Sequence, residues 1–327
     1  MKSWPLTGDG ETRVVMSHSP QTAFLQNMAM DPSGRMLALS GAGGWLSILR
    51  VDDGSVQRLR GIPENVVVGR PAFGEGGRLM AAGIVAGPLE EKVIRVWDLE
   101  SAAVRTFGPL AGAGNGLAGG INDVAFIGRD RLLAAVLGTG LVSLDLSNGA
   151  SRVVVAQPID RFVVSRDGRF GVGAVGLRTE RGRGPVLRFR LDDGTAQPLS
   201  THGTDVTGVA MDASDSLVAT GSADGTIRVG RVSGEEPHVL LGQQGSVHSI
   251  AFSPDGRWLA TAGEAFAIHL WPVPDMSKVP LHRRPLDELL TVLRSHTNLR
   301  ALPDPSSGTG FTLAPGPFPG WTKVPEW

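Results

Sequence analysis

The chain of 327 residues contains no cysteine and no tyrosine, and its lysines are confined to Lys2, Lys92, Lys278 and Lys323. Without cysteine there is no disulfide framework, no thiolate metal site and no cysteine nucleophile, which fits a reducing compartment. Basic residues are therefore nearly all arginine, a bias that suggests a GC-rich, bacterial genome. A surplus of charge is also missing: 31 basic residues face 32 acidic ones. That argues against a nucleic-acid binder driven by a broad positive field. No apolar run approaches the roughly 20 residues that span a bilayer, and the start lacks the basic-then-apolar pattern of a secretory leader. The expectation is a cytoplasmic protein with neither a membrane nor a nucleic acid as partner.

Catalytic signatures are scarce as well. There is no G-x-x-x-x-G-K-[ST] loop, no G-x-S-x-G elbow, and no H-E-x-x-H among the seven histidines. The stretch "GNGLAG" at 114–119 has dinucleotide-binding spacing, but a strand follows it where that motif needs a helix N-terminus to hold pyrophosphate. It is expected to be a glycine-rich connection. Acidic residues such as Asp31, Asp192 and Asp193 fall in turns, where side chains cap the backbone. No cofactor is expected.

Glycine is abundant, with 45 residues, and it punctuates a repeated pattern. The stretch "SVHSIAFSPDGRWLATAGEAFAIHLWPV" from Ser246 to Val273 holds an apolar strand, a Ser-Pro-Asp-Gly turn, a second apolar strand, a small-residue turn and a third strand. Segments starting at Leu25, Val68, Ile121, Ile159 and Val206 repeat that order. A short fourth strand follows the third, as at Val239-Leu240-Leu241. A fourth strand is expected after Trp271 too. Each apolar run is four to eight residues long and bounded by Gly, Asp, Pro or Ser, the sign of strands. One such sheet exposes two apolar faces and cannot stand alone. A spacing of about 40 to 50 residues is that of four-stranded propeller blades, which stack to bury both faces.

On the motifs "AFSPDG" at 251–256, "ATGSADGTIRV" at 219–229 and "IRVWDL" at 94–99, the chain resembles the WD-repeat β-propellers. The resemblance spans roughly residues 1–284. It implies an all-β fold and a protein-interaction role, although fold does not dictate function. It also implies a hydrogen-bond relay of His, Ser or Thr, Asp and Trp within a blade. His202, Ser222 and Asp224 match three of its members, with Gly230 at the tryptophan position. In the following blade Trp271 is present, but Gln243, Gly263 and Ala265 stand at the other three places. Trp4 and Trp97 occupy the tryptophan position of their own blades. These residues, with Trp321 in the tail, are expected to be structural.

Six complete blades are expected at about 22–61, 62–111, 112–158, 159–203, 204–243 and 244–284. Residues 1–20, beginning "MKSWPLTGDGETRVV", supply the third and fourth strands of an incomplete seventh. Either the chain is the back end of a longer product, or its tail fills the gap. The tail, 285–327, opens with "PLDELLTVLRSHTNLRAL", whose Leu286, Leu289, Leu290 and Leu293 share one helical face behind Pro285. A Pro- and Gly-rich stretch follows, with a possible strand at Phe311-Thr312-Leu313. Its aromatic residues Phe311, Phe318, Trp321 and Trp327 suggest a clasp against the propeller or a partner contact. "HTNLRALPDPSSGTGFTLAPGPFPGW" at 296–321 is similar to the ends of bacterial multidomain WD-repeat proteins, some of which carry an upstream serine/threonine kinase domain. That resemblance implies a signalling context, although this chain holds none of a kinase's motifs.

One column of the innermost strands reads Gln26, Gly69, Asn122, Asp160, Thr207 and His248. Polar groups recurring at one register imply a polar ring at a channel mouth. Such a ring either meets solvent or receives a protein or peptide partner. Two longer loops should emerge on the same face, one with Glu90 and Glu91, the other with Arg178, Arg181 and Arg183. Arginines in such a loop either stay solvated or grip an acidic group bidentately. The expected role is a non-enzymatic scaffold. Two alternatives stay open: a regulatory or sensor segment of a kinase system, and a propeller enzyme with an axial small-molecule or metal site at Asn122, Asp160 and His248.

Overall fold

The computed structural model describes residues 2–3, 13–14, 25–111, 119–176, 184–264, 267–289, 299–303 and 311–315. Among these, six antiparallel sheets succeed one another as propeller blades, each running from an inner strand outward in chain order. Blade 1 comprises Leu25–Met30, Met36–Gly41, Leu46–Arg50 and Val56–Arg58. Blade 2 has a split inner strand, Val67–Val68 and Ala72–Phe73, followed by Leu79–Ala86, Ile94–Asp98 and Val104–Phe107. Blade 3 runs through Ile121–Ile127, Arg131–Val136, Gly140–Asp145 and Ser151–Val155. Blade 4 holds Ile159–Val164, Phe170–Val175, Pro185–Arg190 and Ala196–Thr201, and blade 5 holds Val206–Met211, Leu217–Ser222, Ile227–Arg231 and His238–Leu240. Blade 6 has three strands, Val247–Phe252, Trp258–Gly263 and Ile268–Pro272.

The expected fourth strand after Trp271 does not form among the described residues. Residues 273–280 run as loop and turns instead, where the Asp275 carboxylate accepts from Ser277 N at 2.9 Å. Pro272, Pro274 and Pro280 have no N–H to give a ladder. The helix expected from Pro285 forms as one α-helical turn at 286–289, with Leu289 N donating to Pro285 O at 2.9 Å; Leu290 and Leu293 lie outside the described residues. Its expected end is corrected: Leu299–Pro303 is a strand, paired antiparallel with Phe311–Pro315. Lys2–Ser3 and Arg13–Val14 pair as a second two-stranded sheet. Trp4, Trp321 and the arginines 178, 181 and 183 lie outside the described residues, as does most of 114–119.

Stacking explains why the strands are apolar on both sides. Successive residues of a strand point to opposite faces. In blade 2, Met80, Ala82 and Ile84 join Ala38, Leu46 and Ile48 of blade 1, while Ala81 joins Ile121, Val124 and Leu132 of blade 3. Three further clusters fill the interfaces between blades 3 and 4, 4 and 5, and 5 and 6. Each fully buried Leu, Ile or Val contributes about 1.5–3 kcal/mol. Five such clusters join six blades, and among the described residues none joins blade 6 to blade 1. Their outward faces remain open accordingly: Met28 and Met30 are 49% and 52% exposed, and Ile268 and Leu270 are 55% and 42% exposed. The seventh-blade expectation concerns this seam, and the described residues leave it uncovered.

Tight turns set the blades. The Asp31 carboxylate accepts from the N–H groups of Ser33, Arg35 and Met36 at 3.0, 2.8 and 2.6 Å. Asp212 repeats the arrangement with Ser214, Ser216 and Leu217. Glycine is demanded where blades approach each other: a Cβ on Gly83 would run into the Ile121 side chain of the next blade.

Candidate binding site at the channel mouth

The polar column seen in the sequence coincides with a structural irregularity. The inner-strand register slips between Leu25 and Asn27, Ile121 and Asp123, Ile159 and Arg161, Val206 and Gly208, and Val247 and Ser249. Gln26, Asn122, Asp160, Thr207 and His248 are thus the extra residues of five β-bulges. A bulge leaves one residue out of the ladder and re-aims its side chain. In blade 2 the same place is the break between the two short inner strands. There Gly69 N donates to Gly83 O at 2.8 Å, and a Cβ on Gly69 would lie 2.6 Å from Ile121 O.

Several of these residues bond across to the next blade. Arg70 N donates to Asn122 O at 2.9 Å. The Asn122 side-chain amide donates to Asp160 O, also at 2.9 Å. Thr207 Oγ1 donates to Val247 O. Asn122 and Thr207 therefore stitch blades together. The Asp160 carboxyl sits against Gly176, where a side chain on residue 176 would collide with it. Gln26 and His248 face a cavity of about 340 Å3 formed by inner strands of five blades. His248 Nε2 stands 4.0 Å from Glu264 Oε1.

The same cavity is lined by two residues that the sequence does not single out, Arg70 and Arg161. Each is one place beyond the polar column. Strict strand alternation would send that position to the other face, and the irregularity of the inner strand is what brings it to the channel. A tabulation of residues at the position after each polar one would have found them. Arg70 Nη1 lies 3.8 Å from the Asp123 carboxylate, which is 4% exposed and accepts weakly from Phe162 N at 3.4 Å. Burial pushes the Asp123 carboxyl above its ordinary range, against the pull of Arg70 and Arg161. Burial lowers Arg161 as well; Asp123 opposes that shift and the neighbouring Arg70 adds to it.

Of the two loops expected near this mouth, the one with Arg178, Arg181 and Arg183 lies outside the described residues. Glu91 accepts from Arg95 Nη2 at 2.6 Å and is held in that ion pair, while Glu90 is exposed in the same short 3₁₀ turn, Leu89–Glu91. Among the described residues no three His, Cys, Asp or Glu side chains group as metal ligands. The Asn122 side-chain amide gives an N–H to Asp160 O, a bond that leaves its Oδ1 unused. No described helix is long and apolar enough to cross a membrane.

The expected relay is present in altered form. His202 Nε2 bonds Thr220 Oγ1 at 2.7 Å, and Ser222 Oγ bonds Asp224 as a separate link. In blade 6, Trp271 Nε1 donates to Thr261 Oγ1 at 2.9 Å, and Thr261 donates to Gln243 Oε1 at 2.5 Å. Thr220 and Thr261 hold the hydroxyl position, two residues before Ser222 and Gly263. Trp97 Nε1 instead donates to Arg60 O at 3.1 Å. His202 is 5% exposed, and burial with Arg228 nearby lowers its pKa to about 4, Asp224 opposing. It is a neutral packing residue at neutral pH.

Two stretches, 195–229 and 234–272, match the family model of the WD domain, G-beta repeat. Each begins on the outermost strand of one blade and ends on the third strand of the next, so the repeat unit straddles two sheets. No curated protein matches the chain. Matched repeats and six successive blades together support a WD-repeat propeller protein.

Proposed function

We propose that this chain is a protein-interaction scaffold that receives a peptide or loop of a partner at the channel mouth. The observation that carries this is the cavity among the inner strands, lined by Gln26, Arg70, Arg161 and His248 from four separate blades. Repeat propellers of this kind generally serve as interaction platforms, and the cavity of about 340 Å3 is large enough for one or two side chains. A preformed rigid mouth lowers the ordering cost of binding. Gln26 and His248 are the members of the polar column that line the cavity.

The test uses the full chain as bait from cells of its own source, wild type against a D160A/H248A double variant, with captured proteins read by mass spectrometry. Specific partners should be lost from the variant while its melting temperature stays near wild type. Capture that is undiminished in the folded variant would remove the channel mouth as the binding site.

A further inference from the structure

Two guanidiniums line the channel cavity, those of Arg70 and Arg161, with His248 beside them, and among the described residues no acidic side chain lines it. Three carboxylates stand beside these groups without being part of the lining: Asp123 is buried next to Arg70, Asp160 lies close enough to act on Arg161, and Glu264 is 4.0 Å from His248. Two guanidiniums thus share the field of the buried Asp123, and Arg161 also feels Asp160. Close like charges repel, most strongly where solvent is restricted. An anion entering the cavity offsets that repulsion. The guanidinium fork matches a carboxylate through paired N–H···O bonds. Apolar atoms of Met28 and Ile250 share the lining, and they suit the methylene stem that carries a side-chain carboxylate.

We propose that the channel mouth binds a glutamate or aspartate side chain of an acidic peptide segment, held between Arg70 and Arg161. The proposal rests on the scaffold reading and adds the chemistry of its partner. Asp123 is then the internal competitor of the ligand: it keeps the two arginines in place when the site is empty, and it weakens the bound state by repelling the incoming carboxylate.

Fluorescence anisotropy on the full chain at low ionic strength tests this with three labelled peptides. One is an alternating Glu-Leu peptide with blocked ends. The second replaces every Glu with Gln. The third is the Gln peptide with a free C-terminus. The Glu peptide should bind at least about tenfold more tightly than the blocked Gln peptide, and its affinity should fall as salt rises. R70Q and R161Q should each lose about tenfold or more, because each leaves one fork for the ligand. D123N should gain affinity, a result that a purely structural effect of the arginines does not produce. Equal binding of the Glu and blocked Gln peptides overturns the proposal, and that comparison needs no variant to fold. Tighter binding of the free-ended Gln peptide than of the Glu peptide assigns the cavity to chain termini and overturns the side-chain assignment. Unchanged affinity in folded R70Q and R161Q places any acidic site elsewhere. A natural partner that depends on Asp160 and His248 but ignores both arginines would leave the scaffold role standing and remove this one.

Discussion

Replacing His202 with glutamine should flatten the acid sensitivity of the protein. His202 is buried in blade 5, with Nε2 on Thr220, and its Nδ1 has no hydrogen-bond partner among the described residues. Protonation would place a charge there, beside Arg228, with burial as the larger penalty. The folded pKa is lowered from 6.5 to about 4. Between those values the unfolded chain binds a proton that the folded chain refuses, so stability rises with pH across the window and is lost as pH falls through it. The gap of 6.5 − 4 = 2.5 pH units, at about 1.4 kcal/mol per unit, sets a ceiling of about 3 kcal/mol, with about 2 kcal/mol already lost at pH 5.

Glutamine is the informative substitution because blade 6 already uses it. Gln243 occupies the equivalent place and accepts from Thr261 at 2.5 Å. H202Q should therefore lie within about 1 kcal/mol of wild type at pH 7.5. Urea unfolding followed by tryptophan fluorescence, at pH 7.5 and pH 5 for both proteins, gives the difference of differences. His238, also lowered by burial, and Asp123, raised by it, titrate in both proteins and cancel. Carboxylates such as Asp31 and Asp212 are lowered below 3.8, so their contributions are lost only at more acid pH. Wild type should lose about 2 kcal/mol more than H202Q on going to pH 5. Equal losses would show that His202 is solvated or already charged in the fold, and would refute the reasoning.

Other substitutions probe the packing directly. G83A should destabilise by about 1–3 kcal/mol, since the new methyl meets Ile121 across the blade 2–blade 3 interface; thermal unfolding by circular dichroism checks it. W97F should cost about 1–3 kcal/mol in urea midpoints, because it removes the Nε1–Arg60 O bond and part of a side chain that is 3% exposed. D31A should cost about 1–3 kcal/mol by the same assay, as three backbone N–H groups lose their acceptor. D52N should change stability by less than about 1 kcal/mol, because the Arg35–Asp52 pair is 72% and 63% exposed; a larger effect would contradict the weak value of solvated ion pairs.

Much of the architecture was legible because it is written in local signals. The Ser-Pro-Asp-Gly turn at 253–256 forms with Gly256 N on Ser253 O at 2.9 Å and Gly256 at φ +69°, a backbone that glycine adopts without strain. Apolar runs between such turns became strands of six blades. What was not legible depends on register or on distant partners. Arg70 and Arg161 reach the channel through irregularities that alternation does not predict. Thr261 enters the relay two residues before the position where a hydroxyl was sought. Leu299–Pro303 follows the helical spacing of Leu286, Leu289, Leu290 and Leu293, yet pairs with Phe311–Pro315; a cross-strand partner beyond a turn leaves no trace in the periodicity of one segment.

The bulges tie stability and recognition to the same few residues. A bulge gives up a ladder bond in one strand, which alone would soften the inner ring. Here the bond is replaced sideways, by Arg70 N on Asn122 O, by the Asn122 amide on Asp160 O and by Thr207 Oγ1 on Val247 O. These links join blades 2 to 3, 3 to 4 and 5 to 6, so the irregularity that would loosen a lone sheet instead couples neighbouring ones. The Asn122 amide and the Thr207 hydroxyl each give one donor to these links. The side chains beside them, Gln26, Arg70, Arg161 and His248, are held in place by that coupling without being consumed by it. Affinity at such a mouth would come less from contact area than from how little the mouth must reorganise. Its arginines, already in mutual repulsion around one buried carboxylate, would gain most from an anion at the position where the ring has fixed them.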